Sequence, residues 1–450
     1  MRHDAQGLVL TIASDEAVTA YDHFVLGYLK NRLDLPQRLK ALLAADPGFG
    51  LGHCIQGYLM MLGYKQALVP AAVACEQTAR ALTAHATPRE RAHVEALAAW
   101  IGGDMFRTIA IWESILRDHP RDVIAFRLVH FIDFWLGRPA DMVASVERIM
   151  PAWSEADGTA YATILACRCF AHEEAGNLLA AEPAGRRAIE IDPSDLWAAH
   201  AVAHVMEMQG RRSEGLLWLS GLAPHWEGGN NLQHHLWWHA ALYHLEQGNT
   251  ACVLDFYDTR FRNQASPLTI AQPDVYIDVQ NACAMLFRLE RLGVDVGDRW
   301  IELADKAEAR IGDCLSAFTL PHWMMALTAT GRTEAACRMI EAMRSFAAGR
   351  GTIASVVRDF AVPICEALVA HRAGRHGDAI ALMRPALGGM HRLGGSHAQQ
   401  DVLEQIFADA ALKAGAAADL RLVVERVAGR RPIPLARMIG WRAAAEQARL

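Results

Sequence analysis

The sequence predicts an all-α protein built from stacked helix pairs, and two observations carry this prediction. Glycines that end an apolar run and begin a short polar turn recur along the chain at similar spacings. Sustained alternation of apolar and polar residues, the pattern of a half-buried strand, is nearly absent. With 52% hydrophobic and 21% charged residues, the 450-residue chain can bury a large core and lacks the composition of a disordered protein.

The clearest repeats lie between residues 90 and 260. Their turn glycines are spaced by 34, 39, 34 and 38 residues: Gly103, Gly137, Gly176, Gly210 and Gly248. After Gly176, Ala181 and Ala188 follow at helical spacing and Pro193 closes the unit. Glycine supplies the positive φ of a helix C-cap, and proline cannot continue the helix before it. Each unit therefore consists of a helix, a glycine turn, a second helix and a proline-marked loop.

Looser copies extend the pattern over residues 30–90 and 300–430, with turn glycines at Gly331, Gly374 and Gly415. A single helix pair cannot cover its own apolar face, so successive pairs must stack. We therefore predict a tetratricopeptide-like helix-pair solenoid, a right-handed superhelix of about nine to ten repeats that curls around a central concave pocket. Residues 1–450 are expected to form one domain.

Composition limits the expected partners and location. The formal net charge of −6 and the pI near 6.4 give no basic excess for binding phosphate backbones, so nucleic acid is not expected as a partner. The chain shows no export signal, and no window reaches the roughly 18 uninterrupted apolar residues of a membrane span. Nine scattered cysteines fit a reducing compartment, so we expect a cytoplasmic protein with reduced thiols.

Several long segments resemble those of the tetratricopeptide repeat protein 38 family. They are "TPRERAHVEAL" (87–97), "WAAHAVAHVMEMQGR" (197–211), "LQHHLWWHAALYHLEQG" (232–248), "FRLERLGVDVGDRW" (287–300) and "GGSHAQQDVLEQ" (394–405). The resemblance covers most of the chain and implies a superhelical array of helix pairs, but no particular reaction. It also implies that side chains thirteen, ten, nine, six, three and two residues before each turn glycine line the concave surface.

This register places an unusual set of side chains on the concave surface. The set comprises Arg127, Glu173, Glu174, His200, His204, Glu207, His235, Trp238, His239 and His322. Seven of the 20 histidines lie between residues 200 and 244, so the enrichment is local. The predicted site is therefore rich in imidazole, with aromatic and charged neighbours.

Three roles remain open for these residues. The catalytic candidates are His200, His204 and His239, and the candidates for ligand binding are His235, Trp238, Glu207, His322, Glu173 and Arg127. One alternative is a divalent metal held by His200, His204, His235 and His239, because residues four apart share a helix face. The adjacent glutamate of the H-E-x-x-H zinc motif is missing here. A metal-free site for an anion or for acid/base chemistry is slightly favoured. The third alternative is purely structural hydrogen bonding between helices.

Two smaller features carry their own alternatives. Cys167 lies nine residues before Gly176, where a thiol beside a histidine would be a weak candidate nucleophile. The segment "GGSHAQQD" predicts a glycine turn followed by a helix N-terminus. There His397, Gln399 and Asp401 are either capping residues or polar ligands, and capping is favoured.

The function predicted from these features is binding of a small molecule or short peptide in a His/Trp-rich pocket, with acid/base or metal-assisted, hydrolase-like catalysis as an extension. The alternative is a non-catalytic adaptor that binds a protein partner or peptide in its concave groove. A purely structural solenoid is the third class. The sequence does not identify the ligand, the cofactor or the oligomeric state, nor does it establish that the protein is an enzyme.

Overall fold

A computed structural model describes residues 2–448 of the chain. Within that range the regular structure is almost entirely helical, and the all-α prediction is confirmed. Two short strands, β1 (Arg2–His3) and β2 (Val9–Leu10), pair antiparallel with Arg2 opposite Leu10. They form a small ribbon beside the first helix rather than part of the repeat.

The α-helices, in chain order, are α1 (Asp15–Leu29), α2 (Leu35–Ala45), α3 (Gly50–Leu62), α4 (Val69–Leu82), α5 (Pro88–Ile101), α6 (Met105–Asp118), α7 (Val123–Trp135), α8 (Pro139–Ile149), α9 (Thr159–Glu174), α10 (Leu178–Ile191), α11 (Leu196–Met208), α12 (Arg212–Leu222), α13 (Leu232–Glu246), α14 (Thr250–Phe256), α15 (Pro267–Ala271), α16 (Tyr276–Arg291), α17 (Arg299–Ala309), α18 (Thr319–Ala329), α19 (Thr333–Ala347), α20 (Thr352–Val356), α21 (Val362–Arg372), α22 (His376–Leu387), α23 (His397–Ala414), α24 (Ala417–Ala428) and α25 (Arg442–Ala448). Short 3-10 turns span Gln66–Leu68, Met150–Ala152, Glu155–Asp157, Ala223–His225, Met390–Leu393 and Leu435–Arg437, and π-helical turns span Tyr257–Phe261 and Val357–Ala361.

The turn glycines lie where the sequence predicts them. All eight have positive φ, between 65° and 81°, and each sits between the two helices of a pair. A further turn glycine, Gly293, has φ 79° between α16 and α17. The glycine pattern missed this turn because the second helix starts only at Arg299, six residues later. Glycine turns therefore join the two helices of these tetratricopeptide-like pairs.

Helix ends follow local sequence signals. In α5, the Thr87 hydroxyl accepts from the Glu90 backbone N–H while the Glu90 carboxylate accepts from the Thr87 N–H, and Pro88 occupies the first turn. In α23, Ser396 and Gln399 form the same reciprocal cap. Such caps satisfy backbone donors that the first helical turn leaves unpaired. The predicted helix start in "GGSHAQQD" is therefore confirmed, and the capping is done by Ser396 and Gln399.

The chain divides into two compact units. The first comprises residues 1–134, 138–202 and 222–232, and the second comprises residues 135–137, 203–221 and 233–450. One boundary falls inside α11, between Val202 and Ala203, so this helix contributes to both units. The division leaves the prediction of a single domain untested.

In the first unit, consecutive helices pack as pairs, α3 with α4, α5 with α6 and α9 with α10. A polar network lies in its interior. The Arg89 guanidinium donates to Asp122 at 2.6 Å, and Nε2 of His93 lies 3.0 Å from the same carboxylate oxygen. Burial alone would raise the pKa of Asp122, but His93 and Arg89 hold it well below its usual value. This unit therefore keeps an ionised carboxylate in its core.

In the second unit, the first helices of successive pairs pack on one another. Helix α16 contacts α18, α18 contacts α21, α21 contacts α23, and α23 returns to contact α16. Because of this closure, residues 278–289 of α16 are all buried. Buried polar side chains of α16 and α23 consequently meet, as where Arg288 donates to Asp401 and Gln399 donates to Gln280.

Candidate functional site

The predicted site residues are distributed over both units. Arg127, Glu173, Glu174 and His200 belong to the first, and His204, Glu207, His235, Trp238, His239 and His322 belong to the second. All of them are buried except Glu207, whose side chain is 14% exposed. Each unit therefore carries its own part of the predicted set.

In the first unit, Arg127 and His200 pack around an aromatic side chain. The His200 ring lies 4.8 Å from the Trp197 ring, and the Arg127 guanidinium lies 5.3 Å from the same ring. Arg127 also donates to the Cys167 sulfur at 2.9 Å. Burial raises the pKa of the Cys167 thiol, although Arg127 opposes this effect. A buried neutral thiol is a poor nucleophile, which weakens the catalytic interpretation of Cys167.

In the second unit, three histidines from two helices meet. His204 comes from α11, and His235 and His239 lie one turn apart on α13. The His239 ring centroid lies 4.5 Å from that of His204 and 4.7 Å from that of His235. Each histidine offers a ring nitrogen, and these nitrogens lie within 4.8 Å of one another. We call these three residues the histidine cluster.

Hydrogen bonds to side-chain oxygens orient two rings of the cluster. Nδ1 of His239 donates to Glu207 Oε2 at 3.1 Å, and Nδ1 of His235 donates to Asn281 Oδ1 at 3.1 Å. Because the proton then sits on Nδ1, the lone pair of each ring sits on Nε2. The cluster thus has defined tautomers at two of its three members.

Burial controls the charge of the cluster. Burial, and then the neighbouring His239 and His235, lower the pKa of His204 well below its usual value. Burial and His239 likewise lower the pKa of His235, despite the hydrogen bond to Asn281. At neutral pH these two imidazoles are therefore uncharged.

Trp238 borders the cluster, and Arg288 lies near both Trp238 and His322. Trp238 is fully buried and stacks on the His235 ring at 5.2 Å, and the Arg288 guanidinium lies 5.9 Å from the Trp238 ring. Nδ1 of His322 donates to the Phe318 carbonyl oxygen at 2.8 Å. Burial lowers the pKa of His322 to about 4, and Arg288 adds to this effect. His322 is therefore a neutral side chain beside a buried cation.

A cavity of about 170 Å³ lies in the second unit next to the cluster. Charged side chains of both signs line it, namely Arg212, Arg288, Arg291, Arg431, Glu207, Glu246, Asp401 and Asp409. Apolar side chains, including Leu242, Leu245 and Ile433, complete the wall. Glu207 belongs to both sites, since it lines the cavity and accepts from His239.

The acidic groups of the cavity are shared among several donors. Asp401 accepts from Arg288 at 3.2 Å, from Trp441 Nε1 at 2.7 Å and from Gln405 at 2.6 Å. The Arg431 guanidinium lies 3.6 Å from the same carboxylate. This side chain is buried, with only 4% of it exposed. The cavity wall therefore contains more guanidinium donors than its carboxylates satisfy at close range.

Arg291 is in a similar situation. Its nearest carboxylate, Asp409, lies 3.6 Å away and is held at 2.7 Å by both His371 and Lys413. Arg291 donates instead to two neutral oxygens, Gln405 Oε1 at 2.9 Å and the Gly440 carbonyl at 2.6 Å. Burial lowers the pKa of Arg291, which the nearby carboxylates only partly oppose. This guanidinium is thus incompletely compensated.

Of the residues that line this cavity, only Glu207 and Asp401 were predicted from the sequence as candidate ligands. Asp401, Gln405 and Asp409 recur every four residues along α23, which is the spacing of one helix face, and this stripe was a detectable signal. Arg288 and Arg291 lie within residues 287–300, one of the segments that resemble the family, but the sequence predicted no role for them. No repeat pattern covers Arg431, so its position could come only from the tertiary structure.

No family model matches this chain. The human IFIT1 dimer with m7Gppp-AAAA is similar at 12% identity and a TM-score of 0.33, over 98% of this chain and 96% of that chain. The structure of Naa15/Naa10 bound to HypK-THB is similar at 11% identity and a TM-score of 0.26, over 96% of this chain and 65% of that chain. Scores this low support no inference about ligands, and the expected exclusion of nucleic acid stays without support. Among residues 2–448, no helix combines the length and apolar character needed to cross a bilayer.

Proposed function

We propose that this helical-repeat protein binds a small anionic molecule in the cavity of its second unit, which we call the arginine cavity. The observation that carries the proposal is the state of Arg291 and Arg431. Both guanidinium groups are buried in the cavity wall, and each lies 3.6 Å from its carboxylate partner. A bound carboxylate or phosphate would accept charge-assisted hydrogen bonds from both groups.

The electrostatics of the wall favour an anion over a neutral ligand. Removing an arginine from water is costly unless the positive charge is compensated nearby. Burial lowers the pKa of Arg291, so compensation there is incomplete. An anion within hydrogen-bonding distance would compensate this guanidinium directly. The affinity should therefore depend on the charge of the ligand more than on its shape.

The size of the cavity favours a small molecule over a protein partner. An engineered protein cavity of about 150 Å³ holds one benzene molecule. The arginine cavity, at about 170 Å³, therefore fits a ligand of roughly six to ten non-hydrogen atoms. A peptide helix or a folded partner is much larger, so the adaptor alternative finds no support at this site.

The histidines support binding rather than proton transfer. A general acid or base works best with a pKa near the operating pH. Burial places the pKa values of His204 and His235 well below that range, so both side chains stay neutral and are weak bases at neutral pH. The resemblance to the tetratricopeptide repeat protein 38 family remains part of the proposal and adds no reaction to it. The function proposed is therefore ligand binding.

Thermal stability in the presence of defined anions tests the proposal. Inorganic phosphate and succinate should each raise the unfolding temperature, whereas the neutral isostere succinamide should not. Arg431→Met should abolish the increase, because it removes the charge and keeps the length of the side chain. Arg437→Met is the matched control, because Arg437 is exposed and does not line the cavity.

Two results would contradict the proposal. One is equal stabilisation by succinate and succinamide, which would show that charge does not matter. The other is an unchanged response in Arg431→Met, which would place the anion elsewhere. Comparing phosphate with succinate distinguishes a phosphate-bearing ligand from a carboxylate ligand.

A further inference from the structure

The histidine cluster has the arrangement of a metal site. His235 and His239 lie four residues apart, so both imidazoles emerge from the same face of α13. His204 approaches from α11, and its ring centroid lies 4.5 Å from that of His239. We propose that His204, His235 and His239 bind one divalent transition-metal ion, with zinc as the expected metal. This inference goes beyond the proposed function and does not depend on it.

The hydrogen bonds around the cluster are those expected around metal-bound imidazoles. A histidine that binds a metal through one nitrogen commonly donates its other N–H to a carboxylate or a carbonyl oxygen. His239 donates Nδ1–H to Glu207, and His235 donates Nδ1–H to the side-chain oxygen of Asn281. Each bond leaves the lone pair on Nε2, which is the nitrogen that would bind the ion. Glu207 and Asn281 are therefore positioning residues for the metal ligands.

The geometry needs only a small adjustment on binding. Zn–N bonds are about 2.0–2.1 Å long, so tetrahedral ligands hold their nitrogens about 3.4 Å apart. The offered nitrogens of the cluster lie within 4.8 Å of one another. Modest side-chain rotations would therefore bring three nitrogens onto one ion. Three protein ligands leave a fourth tetrahedral position for water or a bound molecule.

The donor set selects the class of metal. Three imidazole nitrogens suit zinc, copper, nickel or iron, whereas magnesium and calcium prefer oxygen ligands. Metal binding also requires neutral imidazole, so zinc binding should weaken as pH falls and the ligands become protonated. Zinc is expected because it is satisfied by tetrahedral nitrogen coordination. The ion would lie beside Glu207, which also lines the arginine cavity.

The test is metal analysis of the untagged full-length protein after incubation with a slight excess of Zn²⁺ and gel filtration. Wild type should retain one zinc per chain, and His204→Ala and His239→Ala should each lose it. His244→Ala is the matched control, since His244 lies on the same helix but outside the cluster. Circular dichroism would establish that each variant is folded.

A second measurement does not rely on any variant. Co²⁺ added to the wild type should give the intense visible absorption of tetrahedral coordination, and Zn²⁺ should displace it. Failure of wild type to retain Zn²⁺ or Co²⁺ would overturn the proposal, as would retention of zinc by folded His204→Ala and His239→Ala. Because these experiments use the metal alone, their failure is distinguishable from failure of anion binding.

Discussion

Replacing Gly185 by alanine tests the packing of helix pairs in the first unit. Gly185 lies in the middle of α10, and a Cβ there would sit 2.5 Å from Val202 Cγ2 and 2.7 Å from Cys169 Sγ. Carbon atoms normally pack at about 3.5–4.0 Å. The new methyl group must therefore push α10 away from α9 and α11 by roughly 1 Å. Neither neighbour is the far end of a long flexible side chain, so the strain cannot be relieved by a simple rotation.

The expected change in the free energy of unfolding is the difference between two opposing effects. Alanine in place of glycine inside a helix stabilises it by about 1 kcal/mol. Overpacking of a dense core costs about 1–3 kcal/mol. We therefore expect Gly185→Ala to lower the free energy of unfolding by up to about 2 kcal/mol. Gly221→Ala is the control, because nothing lies within 4 Å of its added Cβ. It should stabilise the protein by up to about 1 kcal/mol.

Urea denaturation followed by circular dichroism measures both changes. A double-mutant cycle with Val202→Ala tests the same contact. Val202→Ala removes the methyl group that would collide with the Cβ added at position 185. Gly185→Ala should then be better tolerated, with a coupling energy of about 0.5–3 kcal/mol. If Gly185→Ala and Gly221→Ala shifted stability equally and in the same direction, or if the cycle showed no coupling, the close approach at Gly185 would be wrong.

Three further changes test other parts of the structure by the same unfolding measurement. Ala188→Leu should destabilise the protein by about 1–3 kcal/mol, because Ala188 is fully buried in α10, and unchanged stability would show that the contact is loose. Burial raises the pKa of Asp133 to about 7 although Arg138 opposes this. The unfolded carboxyl has a pKa of about 4, so stability is lost as pH rises from about 4 to about 7. Asp133→Asn should therefore gain about 1–4 kcal/mol at pH 8 and little at pH 4, and an equal effect at both pH values would refute this. Arg89→Met should cost about 3–5 kcal/mol, because it leaves the Asp122 carboxylate buried without its guanidinium partner, and a loss below 1 kcal/mol would contradict that account.

The histidine cluster could be anticipated in part. The spacing of His235 and His239 fixes their common helix face, because the helical period is a local property of the chain. Their approach to His204 depends on how α11 packs against α13, which was inferred from repeat register. The rings do meet, with centroids 4.5 Å apart between His204 and His239. The hydrogen bond from His235 to Asn281 spans 46 residues and had no signal in the sequence.

Most helix pairs and their turns were determined by the sequence alone, the turn at Gly293 being an exception. Apolar periodicity, helix caps and positive-φ glycines are short-range effects, so the turn at Gly210 can be located from its immediate neighbours. The arginine cavity was decided only by the tertiary structure. It requires α23 to return to α16, where Arg288 meets Asp401 across 113 residues of chain. Small differences in the packing angle between successive helix pairs add up along the chain. No short sequence pattern therefore predicts that α23 packs against α16.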